Sequence, residues 1–114
     1  MECLINIADL LYPDCKTVSE IELLYPKRNL PDSAMVTRFA PSPTGFLHIG
    51  NLFGAVTDKF LAKQSGGVFY LRIEDTDSKR EIPGGVKAII DALSRYNVNF
   101  DEGATEDEIG RAHV

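Results

Sequence analysis

Apolar positions change their spacing along this chain, and each change marks an element. Leu4, Ile7, Ala8 and Leu11 fall three and four apart on one helical face until Pro13 ends the pattern. Val18, Ile21, Leu24 and Tyr25 repeat the spacing after Thr17, an N-cap candidate, and stop at Pro26. Two short amphipathic helices are predicted. YPKRNLPDSA is rich in Pro, Asn, Asp and Ser and reads as a connector, with a boundary near Ser33. AMVTRFA has β-branched and aromatic residues up to Pro41 and predicts a first strand. Residues 51–67 return to helical spacing at Leu52, Ala55, Val56, Lys59, Phe60 and Lys63, with Gly66 and Gly67 where a C-cap belongs. VFYLRI is nearly continuous in apolar residues, as a buried parallel strand should be. PGGVKAIIDALSRYNVNF predicts a helix from about Gly85 to Tyr96 with Ile89, Ile90 and Leu93 inward. Strand, helix, strand, helix is an α/β arrangement, a parallel βαβ unit with an expected right-handed crossover, preceded by two short helices.

Composition narrows the class. With 114 residues the chain holds one domain or part of one, and 44% hydrophobic with 25% charged residues is ordinary for a globular protein. The N-terminus has no basic start and carries Asp9 within its apolar stretch, unlike a signal peptide. No run reaches the ~20 apolar residues of a spanning helix, so no membrane partner and a cytoplasmic location are expected. Cys3 and Cys15 are too few for a disulfide framework, and neither has a Cys or His at metal-ligand spacing; no metal site is expected. The net charge of −5 is uneven: residues 1–35 carry −3, residues 36–100 carry +2 and residues 101–114 carry −4. The middle is the stretch that could accept an anion, yet +2 is no polybasic footprint, so most contacts to any RNA would lie elsewhere.

Two clusters carry chemistry. PSPTGFLHIGN runs from the first strand into the following helix. In an open parallel sheet that is where ligands bind, beyond the strand ends and at a helix N-terminus whose N–H groups face an anion. Pro41 and Pro43 stiffen the loop, Gly45 permits a tight turn, His48 falls near the first helical turn, and Gly50 lets a flat ligand or a backbone approach. That suits a phosphate with a base stacked beside it; the alternative is a proline-rich loop whose His caps or packs locally. LRIEDTDSKRE follows the second strand and places Glu74, Asp75 and Asp77 at the neighbouring strand end. Alternation sends Arg72 and Glu74 to one face and Ile73 to the other. Residues 77–81 read as a solvated loop, whereas Glu74, the first acid after a buried strand, lies where a carboxylate would face a ligand ammonium.

With both clusters in view the chain resembles the glutamyl-tRNA synthetases, class I aminoacyl-tRNA synthetases. VTRFAPSPTGFLHIGN is similar to their HIGH region, here Pro41, Ser42, Pro43, Thr44, Gly45, Phe46, Leu47, His48, Ile49, Gly50 and Asn51, and FYLRIEDTDSKRE to their second hallmark. GGVKAIIDAL and NFDEG extend the likeness over about residues 36–103. The resemblance implies the first half of a Rossmann-like catalytic domain. It implies a glutamate pocket of Arg38, Ala40, Ser42 and Glu74, with Arg38 partnering a substrate carboxylate and Glu74 accepting from its ammonium. Thr44, Gly45, His48, Gly50 and Asn51 would serve ATP, with Mg2+ implied; Asn51 stands where the motif has its second His.

The implied reaction joins L-glutamate to ATP as glutamyl-adenylate and passes the acyl group to tRNA. It needs positioning and positive charge, and His48 is implied as a charge stabiliser, not a general base. Among neighbouring families, glutaminyl enzymes usually have PEPNG where this chain has PSPTG, and glutamyl-queuosine synthetases usually start close to their first strand. A small nucleotidylyltransferase with a TGxxH-type loop is disfavoured by RIEDTD. The expected organisation is residues 1–33 as a helical extension and linker, 34–103 as a partial catalytic domain, and 104–114 as a non-family tail. Ile109 to Val114 can be encoded by ATC GGA AGA GCA CAC GTC, similar to a common sequencing adapter followed by a stop, so that tail is expected not to be biological. Lacking the second half-sheet and the lysine-bearing loop, the chain alone is expected to be inactive, a non-catalytic relic or at best a weak nucleotide binder. It is also expected to be marginal in stability, with Val68 or Phe69 exposed on an uncovered sheet face.

Overall fold

The computed structural model describes residues 7–105. Its elements are α1 (Ile7–Leu11), α2 (Val18–Leu24), β1 (Val36–Phe39), α3 (Ile49–Ser65), β2 (Val68–Leu71), α4 (Gly85–Arg95) and β3 (Glu102–Gly103). The strands form one parallel sheet in the order β1-β2-β3, with Val36 opposite Val68, Arg38 opposite Tyr70, and Tyr70 opposite Glu102. The predicted α/β arrangement is therefore present, with a short third strand. No helix among the described residues is long and apolar enough to cross a membrane.

Alternation divides the sheet into two unlike faces. Phe39, Phe69 and Leu71 point to one face, where they form a single core with Leu52, Ala55 and Ala62 of α3 and Val86, Ile89 and Leu93 of α4. Alanines at 55 and 62 let α3 lie close to the strands, and the Thr37 hydroxyl donates to the Asp58 carbonyl of α3 at 2.7 Å. Val36, Arg38, Val68, Tyr70 and Glu102 occupy the opposite face, which neither helix covers. The exposure expected of Phe69 is thus corrected: it is 1% exposed, because its parity puts it under the helices, while Val36 is exposed instead. Val56 and Phe60, which share the helical spacing read in α3, point outward, since the sheet takes up a narrower stripe than that spacing offers. Ile89 and Leu93 are buried and Ile90 packs beside them, as the α4 pattern predicts.

Local chemistry sets the ends. Thr17 caps α2 in a reciprocal box: Glu20 N–H donates to Thr17 Oγ1 at 3.3 Å and Thr17 N–H to Glu20 Oε2 at 2.7 Å. The apolar faces of α1 and α2 remain exposed. Gly66, at φ 70°, closes α3 in the left-handed region, and Gly67 N–H donates to the Ala62 carbonyl at 2.8 Å. Asp101 fixes β3 beside β2 twice over, its N–H donating to the Phe69 carbonyl at 2.8 Å and its carboxylate accepting from Phe69 N–H at 2.9 Å. Ala104 continues this pairing and is buried in the core, one residue past the boundary read from sequence. Cys15 is a free, exposed thiol; Cys3 and residues 106–114, with the expected non-biological tail, lie outside the described residues.

Candidate active site

The rigidity of the β1–α3 turn comes from bonds on both flanks. Arg72 N–H donates to the Phe39 carbonyl at 2.9 Å, Glu74 N–H to Pro41 at 3.0 Å, and Ile82 N–H to Pro43 at 2.9 Å. The parallel ladder therefore continues beyond the regular strands into the proline loop. Pro41 and Pro43 lose no bond by lacking an N–H here, because their carbonyls are what the neighbours use. Pro43 is fully buried, and α4 begins directly against it: a Cβ on Gly85 would stand 2.8 Å from the Pro43 carbonyl oxygen.

Continuing the alternation from β1 places Arg38, Ala40 and Ser42 on the open face, with Phe39, Pro41 and Pro43 buried between them. Arg72 and Glu74 share that open side and Ile73 is buried on the other, as expected. Arg38 and Glu74 meet across the strand ends at 3.9 Å, and Arg72 Nε lies at the same 3.9 Å from Glu74 Oε1. Both pairs exceed hydrogen-bonding distance, and both partners are substantially exposed. Two guanidinium groups and one carboxylate thus face solvent without locking together.

His48 is the N-cap of α3. Its Nδ1 accepts from Gly50 N–H at 3.1 Å, and its own N–H donates to Asn51 Oδ1 at 3.1 Å. The histidine therefore caps locally, the plainer alternative, yet only Nδ1 is used. An Nδ1 that accepts is unprotonated, so the neutral ring carries its proton on Nε2, as a donor in an exposed side chain. Asn51, in place of the motif's second His, completes the cap. At Gly50 a Cβ would sit 3.0 Å from His48 Cε1, so the glycine makes room for the histidine ring. Gly45 lies in the bend of residues 43–45. Its φ is outside the left-handed region and nothing lies within 4 Å of where its Cβ would be, so it leaves space and does not enforce a tight turn.

Ser42, Thr44, Gly45, His48 and Asn51 line one cleft of about 300 Å³. Arg38, Ala40, Glu74 and Gly50 lie outside its wall, the first three on the open sheet face next to Ser42. Ser42 is therefore the member that joins the two expected groups. Asp77 is engaged with Arg80 at 2.6 Å, in keeping with the solvated loop read there. No group of three His, Cys, Asp or Glu side chains among the described residues could hold a metal ion, so the implied Mg2+ has no donor set there and enters no step below.

One pair had no signal in the sequence. Arg28, in the connector, makes a two-point ion pair with Glu102 of β3, Nε to Oε1 at 2.9 Å and Nη2 to Oε2 at 2.5 Å. Glu102's hydrogen bond raises the Arg28 pKa above its ordinary value; burial opposes this, and the charge of Glu102 and the nearby Tyr70 add to it.

Residues 34–111 match the profile of the class I tRNA synthetase (E and Q) catalytic domain. The chain belongs to this family. Over 101 residues it is 57% identical to a glutamate–tRNA ligase of Acetivibrio thermocellus, a match covering 87% of this chain and 18% of that protein. A Clostridium beijerinckii glutamate–tRNA ligase is 46% identical over 107 residues, 93% of this chain and 19% of that protein. A match of that extent includes the α2 and connector segments of this chain. Among solved structures, a glutamate–tRNA synthetase of Elizabethkingia anophelis superimposes with a TM-score of 0.60 at 47% identity over 61% of this chain and 14% of that chain. A glutamate–tRNA ligase of Elizabethkingia meningosepticum, solved in complex with its amino acid, gives 0.60 at 44% identity over 70% of this chain and 15% of that one. The chain spans less than a fifth of the length of these synthetases.

Proposed function

We propose that the chain is the amino-terminal catalytic part of a glutamate–tRNA ligase. The observation that carries this reading is the placement of Arg38 and Glu74, opposite charges 3.9 Å apart on the open face at the strand ends, beside a helix N-terminus capped by His48. An amino acid with an acidic side chain offers the complementary set. Arg38 takes the side-chain carboxylate in a charge-assisted hydrogen bond, Glu74 accepts from the α-ammonium, and Ser42 and Ala40 form the wall between them. The site's residual positive charge, contributed by Arg72, favours an amino acid of net charge −1.

ATP occupies the cleft of Thr44, Gly45, His48 and Asn51, its phosphates toward the start of α3. The α-carboxylate of glutamate attacks the α-phosphorus, the bond to the bridging oxygen breaks, and pyrophosphate leaves. A ribose hydroxyl at the tRNA terminus then attacks the acyl carbon, and AMP leaves as the ester forms. No protein nucleophile is required. His48 Nε2–H and the free N–H groups of the helix stabilise charge that grows on the phosphate oxygens. Arg38 and Glu74 hold the attacking carboxylate in line, the entropic share of catalysis. The proposed surroundings are the cytoplasm, where amino acid, nucleotide and tRNA meet.

A segment exchange tests the reading. The matching stretch of the Acetivibrio thermocellus ligase is replaced by that of this chain, and tRNA glutamylation is measured. Retained charging with L-glutamate, ATP and tRNA supports the proposal; loss of charging in a folded chimera overturns it.

A further inference from the structure

On the open face, Arg38, Tyr70 and Glu102 stand in one row across β1, β2 and β3. Two strand spacings, about 10 Å, separate the first from the last. Glu102 is thus a second carboxylate on the face where Arg38 stands, with its side chain 10% exposed and its charge little screened by water. Arg28 covers it, held on two points from a connector 74 residues away in sequence. We propose that Arg28 is a specificity-determining residue that cancels the field of Glu102 at Arg38, so that the pocket accepts a negatively charged side chain. The inference rests on the glutamate pocket proposed above.

Charge counting gives the reason. Arg28, Arg38 and Arg72 against Glu74 and Glu102 leave the open face at +1, matching L-glutamate at −1. Without Arg28 the face is neutral, and Glu102 repels the incoming carboxylate while competing for Arg38. L-Glutamine, with no net charge, feels little of either effect. The connector therefore does more than link α2 to the sheet: it carries a counter-charge to the far edge of the substrate's face.

A purely structural strap predicts different results, and two substitutions separate the readings. Arg28→Met and Glu102→Gln break the same ion pair, but they change the field at Arg38 in opposite senses. Dissociation constants of the segment-exchanged ligase for L-glutamate and L-glutamine are measured at low salt by isothermal titration calorimetry. Arg28→Met is expected to weaken L-glutamate about 2- to 15-fold, the range for a unit charge about 10 Å away between bulk-water and near-surface screening. L-Glutamine should change less. Glu102→Gln should tighten L-glutamate, and the double variant should return to the wild-type value. Equal weakening by both single variants, with no recovery in the double, overturns the inference in favour of a strap. Arg38→Gln tests the underlying pocket separately. If the wild type binds no L-glutamate, or Arg38→Gln binds it unchanged, the pocket reading fails; if only the Arg28 and Glu102 variants leave affinity unchanged, the inference alone fails.

Discussion

Nδ1 of His48 accepts the backbone N–H of Gly50 at 3.1 Å. That bond joins two duties in one ring: Nδ1 stabilises the start of α3, and Nε2–H is left for a ligand. Asn ranks with the best N-cap residues but has no group at the Nε2 position. His48→Asn should therefore keep the stability of the chain within about 0.5 kcal/mol and lower kcat of the segment-exchanged ligase by about 100- to 1,000-fold. His48→Ala should lose both, with about 1 kcal/mol of stability gone. Urea denaturation and tRNA glutamylation rates measure the two effects; equal activity in His48→Asn would leave the ring with capping alone.

Two glycines in or beside α3 should respond oppositely to the same substitution. A Cβ on Gly67 would stand within van der Waals overlap of the Met35 carbonyl oxygen, a backbone atom held by Val68 N–H. Gly67→Ala should cost about 3 kcal/mol or more, because neither strand can retreat. Gly54, inside α3 with nothing within 4 Å, should gain about 0.5–1 kcal/mol as alanine. Denaturation midpoints of the two variants against the wild type decide this.

The cap of α2 gives a pH dependence with a definite sign. Bonds from Thr17, first from its backbone N–H and then from its hydroxyl, hold the exposed Glu20 carboxyl below its ordinary pKa of 4.5. A lowered folded pKa contributes stability that is present above the unfolded value and is lost as pH falls through the folded one. The Thr17 amide should therefore keep its bonded chemical shift at neutral pH and lose it only as pH falls through the lowered Glu20 value, beneath the ordinary 4.5, with α2 fraying. Glu20→Gln should remove that transition; a transition that persists in this variant would assign it to another group.

Short-range patterns were legible and long-range ones were not. Periodicity located α3 and α4, the Thr17 cap and the alternation that puts Arg72 and Glu74 opposite Ile73, because each depends on neighbours a few residues apart. Burial of Phe69 was misjudged because parity assigns a side chain to a face, while which face the helices cover depends on where the crossovers pack. Gly45 and Gly50 were legible as loop glycines, but the crowding of a Gly50 Cβ against the His48 ring was not, since the space around a missing Cβ is a tertiary quantity. Arg28 and Glu102 left no trace, since 74 residues separate them.

Arg38 and Glu74 carry the central claim, and the first is the more direct to test. In the segment-exchanged ligase, Arg38→Gln removes a charge-assisted bond worth about 1.5–3 kcal/mol while keeping a polar side chain of similar reach. The measurement is the steady-state KM for L-glutamate and for ATP in tRNA glutamylation. The account predicts that KM for L-glutamate rises about 10- to 150-fold, the equivalent of that energy, and that KM for ATP stays near its wild-type value. An unchanged KM for L-glutamate, or an equal rise for both substrates, would contradict the assignment of the open face to the amino acid.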